Sequence, residues 1–147
     1  MRASLFDSTR SEPSGITVLD EATASMSPII RVGDRLAIAR SEPARRGSVV
    51  AYFDGRRVLA HRLLQRRRGA MLLKGDGNRD PDPPVDGAGY CGVVIALSRR
   101  NGRTVDLTSR AWRLAGLMLV ALQALPGRRV RWIVTRALCH AAARCLR

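Results

Sequence analysis

The feature that most constrains the fold is a series of short apolar runs between Ile16 and Ser98, each ended by Gly, Pro, Asp or Asn. Runs of this length, bounded by turn residues, are typical of β-strands. The candidate strands are residues 35–39, 48–53, 57–65, 70–74 and 91–97. The proline-rich stretch 80–84 cannot continue a strand and is predicted to be a constrained loop. The sequence therefore predicts a mainly β fold.

The pattern changes near residue 107. We expect residues 1–14, which are polar, to form a flexible arm, and residues 15–107 to form the β domain. Thr108 or Ser109 can cap a helix over about residues 110–124, and Pro126-Gly127 ends it. Residues 128–147 are predicted to form a second, arginine-rich helix. The tail 108–147 is thus predicted to be a basic helical hairpin.

The charge is concentrated in this tail. The 147 residues carry a net charge of +14, and Lys74 is the single lysine among 26 basic residues. No acidic residue follows Asp106, whereas eight arginines do. The three cysteines lack CxxC spacing, and Cys139-His140 with Cys145 fits no common zinc site. We therefore expect free thiols in a reducing compartment, and neither a metal nor a cofactor.

Three interpretations of the tail remain open. In a helix over 128–147, apolar residues occupy one broad face and arginines gather opposite. The apolar residues are Val130, Ile133, Val134, Ala137, Leu138, Ala141 and Cys145. Such a helix can lie on an anionic membrane, bind a partner protein, or pack on the protein's own core. The apolar run 114–122 is shorter than the ~20 residues of a spanning helix.

Three segments offer chemistry: Ser25-Met26-Ser27-Pro28, His61-Arg62, and the stretch 74–82, which contains Asp76, Asp80 and Asp82. A serine hydroxyl needs a base to remove its proton during attack, and imidazole, with an ordinary pKa of ~6.5, suits that role. A carboxylate usually orients the base. Each motif alone also has an ordinary structural interpretation; their order and spacing together favour a catalytic one.

In these motifs the stretch from about residue 22 to 97 resembles the catalytic core of type I signal peptidases and LexA-type self-cleaving repressors. Ser25-Met26-Ser27-Pro28 and Gly33-Asp34 match the family's first boxes, and Lys74-Gly75-Asp76 with Asn78 matches its last. The Gly-Asp-Val-Val box departs from the pattern, because Ser48 replaces the aspartate. His61-Arg62 resembles the histidine branch of archaeal and endoplasmic-reticulum enzymes.

The resemblance implies a signal-peptidase-like β fold and specific roles. Ser25 would be the nucleophile and His61 the general base. Asp82 is the first choice for the orienting carboxylate and Asp76 the second. The Ser25 backbone N–H would hold the oxyanion, helped by the Thr23 hydroxyl unless Thr23 is an ordinary strand residue. Met26 and Ile29 are candidates for lining the substrate pocket, although core packing is the alternative for Ile29.

The leading functional hypothesis is a serine endopeptidase that cleaves extended peptides or precursor proteins after small residues. The alternative is a non-catalytic peptide-binding or membrane-docking module. The first twenty residues contain no apolar core, so we expect no secretory signal or N-terminal anchor, and a location in the cytoplasm or peripherally on the inner membrane. Nucleic-acid binding is disfavoured by the low aromatic content, 4%, and by the 24 residues before Ser25, too few for a repressor's DNA-binding domain.

Overall fold

The computed structural model describes residues 15–20 and 23–144. The predicted arm over 1–14 and Cys145 lie outside them. The strands are β1 Ile16–Asp20, β2 Arg35–Ala39, β3 Val49–Phe53, β4 Val58–Arg67, β5 Ala70–Lys74, β6 Tyr90–Ser98 and β7 Thr104–Asp106. Two α-helices follow, α1 Arg110–Ala121 and α2 Arg128–Arg144. The mainly β prediction is confirmed, and all five predicted strands occur within a residue or two of their expected bounds.

The seven strands form one antiparallel sheet, in which six follow the order β1-β2-β6-β3-β4-β5 and the seventh, β7, pairs with β6 outside this order. Strand β6 lies at its centre, with β2 along one edge and both β3 and β7 along the other. Strand β4 is long enough to serve two partners in succession: residues 58–62 pair with β3, and residues 62–67 pair with β5. Among the described residues, the part of β4 before Arg62 therefore pairs with β3 along one edge and with no strand along the other.

Side chains alternate between the two faces of the sheet, and each face has its own core. On one face Val49, Ala51 and Ala60 pack with the turn after β1 and with both helices. On the other face Val50, Tyr52 and Leu63 pack with β5. His61 and Arg62 are neighbours on β4, so they point to opposite faces. Leu63 lies on the face of His61, whereas Leu64 lines a small cavity with Arg62.

Helix α2 buries small and polar residues, namely Thr135, Cys139 and Ala143. Its broad apolar face, for which packing on the protein's own core was one of three open interpretations, is largely exposed, with Val130 at 52% and Ile133 at 59% relative exposure. Among the described residues, neither helix is long and apolar enough to cross a bilayer.

Candidate active site

Ser25 lies in a turn a few residues after the end of β1. The turn is closed by hydrogen bonds from the Ser27 N–H to the Ala24 carbonyl (3.0 Å) and from the Ile30 N–H to the Met26 carbonyl (3.1 Å). Met26, Ile29 and Ile30 are at most 1% exposed and anchor the turn in the core. Ser25 itself is only half-buried. The turn thus fixes the serine backbone while leaving its hydroxyl accessible.

The Gly33-Asp34 box supports this turn from below. The buried Asp34 carboxylate accepts a hydrogen bond from the Arg31 N–H (2.8 Å) and forms an ion pair with Arg99. Arg99 also donates to the Ile29 carbonyl (2.7 Å). Arg99 directly follows β6. The Asp34 carboxylate is therefore a structural group that, through Arg99, holds the serine turn against this strand.

The Gly75–Gly77 stretch packs against the serine backbone from the other side. The Gly77 N–H donates to the Ser25 carbonyl at 2.7 Å. A Cβ atom at Gly75 would lie 2.5 Å from that same carbonyl oxygen, so a larger residue cannot occupy this position without displacing the turn. The glycines of this stretch are thus explained by close backbone approach to the Ser25 turn.

His61 lies in the middle of β4, is 4% exposed, and reaches the serine across 36 positions of sequence. Its Nε2 atom is 2.8 Å from Ser25 Oγ, and its Nδ1 atom is 2.5 Å from Asp82 Oδ2. Both distances permit hydrogen bonds. In the tautomer whose Nδ1–H donates a hydrogen bond to Asp82, Nε2 has a free lone pair and can accept the serine proton.

Asp82 is positioned by the proline-rich loop. Its N–H donates to the Leu73 carbonyl of β5 (2.8 Å), and Val85 forms two backbone hydrogen bonds with Met71 (2.7 and 2.9 Å). The loop therefore runs back along β5 and returns the carboxylate to the face on which His61 lies. Asp82 was the first choice for the orienting group, and the structure brings it to the histidine.

Asp76, the second choice for the orienting carboxylate, is not near the histidine ring. Its assignment as an orienting group is therefore wrong. Its carboxylate accepts two hydrogen bonds from Arg62, at 2.7 and 2.6 Å, on the opposite face of β4. Both side chains are at most 5% exposed. Arg62 also donates to the Gly47 carbonyl at 2.7 Å. Burial alone would lower the pKa of Arg62, but the charge and hydrogen bonds of Asp76 outweigh it and raise the pKa.

Tyr52 is a member of the site that the sequence interpretation missed. Its hydroxyl donates to Asp82 Oδ2 at 3.3 Å and lies 3.4 Å from His61 Nδ1. Burial, and then the negative charge of Asp82, raise the pKa of Tyr52, so the phenol stays protonated and remains a donor. Strand alternation places Tyr52 on the face of Val50, but only the register between β3 and β4 brings that face to the histidine.

The Thr23 hydroxyl lies 2.9 Å from Ser25 Oγ. It is therefore close enough to act on charge that develops beside the nucleophile, and its oxyanion role remains a prediction. Met26 is 0% exposed and packed in the core, with its sulfur 3.4 Å from the Asp76 N–H. We therefore withdraw Met26 as a substrate contact, because no surface of its side chain is accessible.

Ile29 is 1% exposed and belongs to the same core. It touches the wall of a cavity of about 350 Å³ between the 42–48 segment and α1, a cavity that neither Ser25 nor His61 lines. Core packing, the alternative role for Ile29, is therefore what the structure shows.

Two further motif positions, Ser48 and Lys74, make hydrogen bonds that stabilise the fold. Ser48, where the resembled family has aspartate, accepts a hydrogen bond from the Arg45 N–H (3.3 Å) and closes the turn before β3. An aspartate could accept the same hydrogen bond. Lys74 is 3% exposed and donates to Gln123 at 3.0 Å. Burial lowers the pKa of Lys74, but the partner of the serine hydroxyl is the imidazole.

No protein-family model matches the chain, and comparison with curated proteins yields no match either. The motifs and the geometry of the site are therefore the grounds on which a function can be proposed.

Proposed function

We propose that this protein is a serine endopeptidase of the signal-peptidase-like kind, with Ser25 as nucleophile, His61 as general base and Asp82 as the group that orients His61. The observation that carries the proposal is the continuous hydrogen-bonded series from Ser25 Oγ through the imidazole to Asp82 Oδ2, with distances of 2.8 and 2.5 Å. A series in this order matches the chemical needs of acyl transfer.

In the reaction, Ser25 Oγ attacks the carbonyl carbon of the scissile peptide bond while His61 Nε2 takes the hydroxyl proton. The C–N bond then breaks, and the imidazolium returns the proton to the leaving amine. Water, deprotonated by the same nitrogen, hydrolyses the acyl-enzyme and regenerates the hydroxyl. The Ser25 N–H and the Thr23 hydroxyl are the proposed oxyanion donors. Asp82 holds the imidazole by its Nδ1 atom and stabilises the imidazolium.

The edge of β4 offers a place for an extended substrate. Leu63 exchanges backbone hydrogen bonds with Gly47 and Ser48 on the β3 side. Because backbone groups alternate along a strand, His61 also faces β3, and the N–H and C=O groups of Val58 and Ala60 face the other edge. Strand β5 covers that edge only from Arg62 onward. A peptide added there as a strand would pass beside His61.

The test compares matched serine and histidine variants. Purified Ser25→Ala and His61→Ala proteins should lose cleavage of a peptide library with small residues before the cut bond. Ser27→Ala is the matched serine control, because Ser27 lies in the same turn, and His140→Ala is the matched histidine control on α2. Both controls should retain cleavage. Cleavage that survives Ser25→Ala would exclude the proposal, whereas peptide binding without cleavage would favour the alternative of a non-catalytic module.

The pH profile tests the base separately. A histidine base must be neutral to accept the serine proton, so kcat/KM should rise with pH in the wild-type protein, and any residual activity of His61→Ala should lack that rise. A rise that His61→Ala retains and Lys74→Met loses would point to Lys74 in place of His61.

A further inference from the structure

Both helices present apolar side chains to solvent. Eight large hydrophobic residues are exposed in the described part of the chain, and six of them lie on α1 and α2. They are Leu114 (62%), Leu117 (46%), Met118 (60%), Val130 (52%), Ile133 (59%) and Leu138 (37%). We call these six residues the apolar helix face. The concentration of six such residues on two consecutive helices indicates a binding surface, since exposed hydrophobics that are scattered singly are ordinary.

The exposure follows from how the helices pack. On α1 the buried side is formed by Gly116, Leu119 and Val120. Leu114, Met118 and Ala121 lie about 180° from it at 100° per residue and are exposed. Gly116 allows a close approach to the Gly47 backbone, where a Cβ atom would lie 2.4 Å from the carbonyl oxygen.

Helix α2 packs through equally small groups. The Thr135 hydroxyl accepts a hydrogen bond from Gln123 (3.3 Å), and the Cys139 side chain is fully buried. The Oε1 atom of the same Gln123 accepts a hydrogen bond from the Lys74 ammonium (3.0 Å). The side of α2 that carries Thr135 and Cys139 therefore covers a buried polar cluster. The larger aliphatic side chains of α2 face outward.

Arginines border the apolar residues of α2. At 100° per residue, Arg129, Arg136 and Arg144 fall on one side of the exposed surface, next to Ile133. All three are exposed. Arg136 also stacks on the Trp132 ring, with its guanidinium carbon 5.4 Å from the ring centroid. This pattern, an apolar stripe with a basic margin, is that of a helix lying in the plane of a membrane interface.

We propose that the apolar helix face docks this protein onto an anionic lipid surface, with the arginines of α2 contacting the headgroups. Charge complementarity selects this occupant: no acidic residue follows Asp106, so the segment offers only positive charge to whatever covers it. A second copy is disfavoured, because it would bring together two segments that both carry only positive charge. The proposal is independent of peptidase activity.

The experiment is co-sedimentation of the full chain with lipid vesicles at low and moderate salt. Vesicles of phosphatidylcholine with about one-third phosphatidylserine should bind the protein, and vesicles of phosphatidylcholine alone should not. The double variant Met118→Gln/Ile133→Gln should weaken binding at least ~10-fold. The double variant Arg129→Gln/Arg144→Gln should weaken it by about 5-fold per arginine, with a smaller salt dependence.

The controls change equally exposed residues elsewhere. Val32→Gln/Phe53→Gln removes the two exposed hydrophobics that lie outside the helices, and Arg56→Gln/Arg57→Gln removes two exposed arginines of the β3–β4 turn. Both should bind vesicles like the wild type, and circular dichroism should show that all four variants are folded. Absence of binding to anionic vesicles would overturn the proposal. So would equal losses in the control variants, or a wild-type dimer that only Met118→Gln/Ile133→Gln makes monomeric.

Discussion

Three aspartates in one loop have three different environments, and replacing each with asparagine should separate stability from catalysis. The Asp76 carboxylate is 3% exposed and holds Arg62, which is 5% exposed. Removing one partner of such a buried pair leaves an uncompensated charge and costs about 3–5 kcal/mol. Domains of this size unfold with about 5–15 kcal/mol, so Asp76→Asn should lose a large share of the total.

The assay is urea unfolding at 25 °C, followed by the fluorescence of Trp112 and Trp132. With a slope of about 2 kcal/mol per molar urea, a loss of about 4 kcal/mol moves the midpoint down by about 2 M. Asp82→Asn should move it by less than about 1 M, because in the described part of the chain its carboxylate contacts His61 and Tyr52 and no arginine. It should instead reduce kcat by about 10³–10⁴, since an amide no longer selects the productive imidazole tautomer.

Asp80→Asn is the matched control from the same loop. The Asp80 side chain is 56% exposed and its ion pair with Arg128 lies on the surface, where such pairs contribute about 0–1 kcal/mol. It should change neither the urea midpoint appreciably nor the activity. An Asp76→Asn protein within about 1 kcal/mol of wild type would refute the role given to the buried pair. A fully active Asp82→Asn protein would refute the role given to Asp82.

A double variant checks the physical cause of the Asp76 effect. Arg62→Met/Asp76→Leu removes the buried Arg62–Asp76 ion pair and leaves the Gly47 carbonyl without its hydrogen bond from Arg62. Because a missing neutral hydrogen bond costs about 1–3 kcal/mol, the double variant should be more stable than Asp76→Asn alone. A double variant less stable than the single one would show that packing, and not charge, dominates at this position.

Three further predictions concern single residues. Tyr52→Phe removes the hydrogen bond to Asp82 and should lower kcat ~10-fold with KM unchanged, whereas Tyr90→Phe should have no effect on steady-state kinetics. Thr23→Val should lower kcat by about 10²-fold and Thr23→Ser should restore it; equal kcat values in the two would exclude an oxyanion role. Burial raises the pKa of the Cys139 thiol from 9.0 to about 12. Folding therefore favours the protonated thiol, and above pH 9 its contribution to the unfolding free energy should fall by up to about 1.4 kcal/mol per pH unit. The difference in unfolding free energy between wild type and Cys139→Ala, measured at pH 8, 9 and 10, should be constant below pH 9 and shrink above it.

Local patterns determined the elements of this protein. Strand β5 and the start of α1 occur where apolar runs and the turn residues beside them predict. A strand or helix boundary depends mainly on neighbouring residues, which is why the sequence is informative there. The serine and histidine motifs are also local patterns, because Ser25 and His61 were nominated from short motifs and from the family resemblance that those motifs carry.

Long-range placement determined the rest of the site. Asp76 and Asp82 are equivalent in residue type and lie six positions apart, but the loop path sends one to Arg62 and the other to His61. Tyr52 joins the site through the register of β3 against β4. Neither a loop path nor a register is encoded in a short window, since both depend on contacts between distant segments.

Helix α2 illustrates the same division. Its existence and its two-sided character follow from the periodicity of apolar and basic residues, which the sequence alone displays. Which side packs inward depends on what lies beneath, and here that is the buried group of Arg62, Asp76 and Lys74. Small and polar side chains such as Thr135 and Cys139 fit over such a group, whereas large aliphatic ones would leave its polar atoms unpaired. The tertiary structure alone therefore determined that the apolar stripe faces solvent.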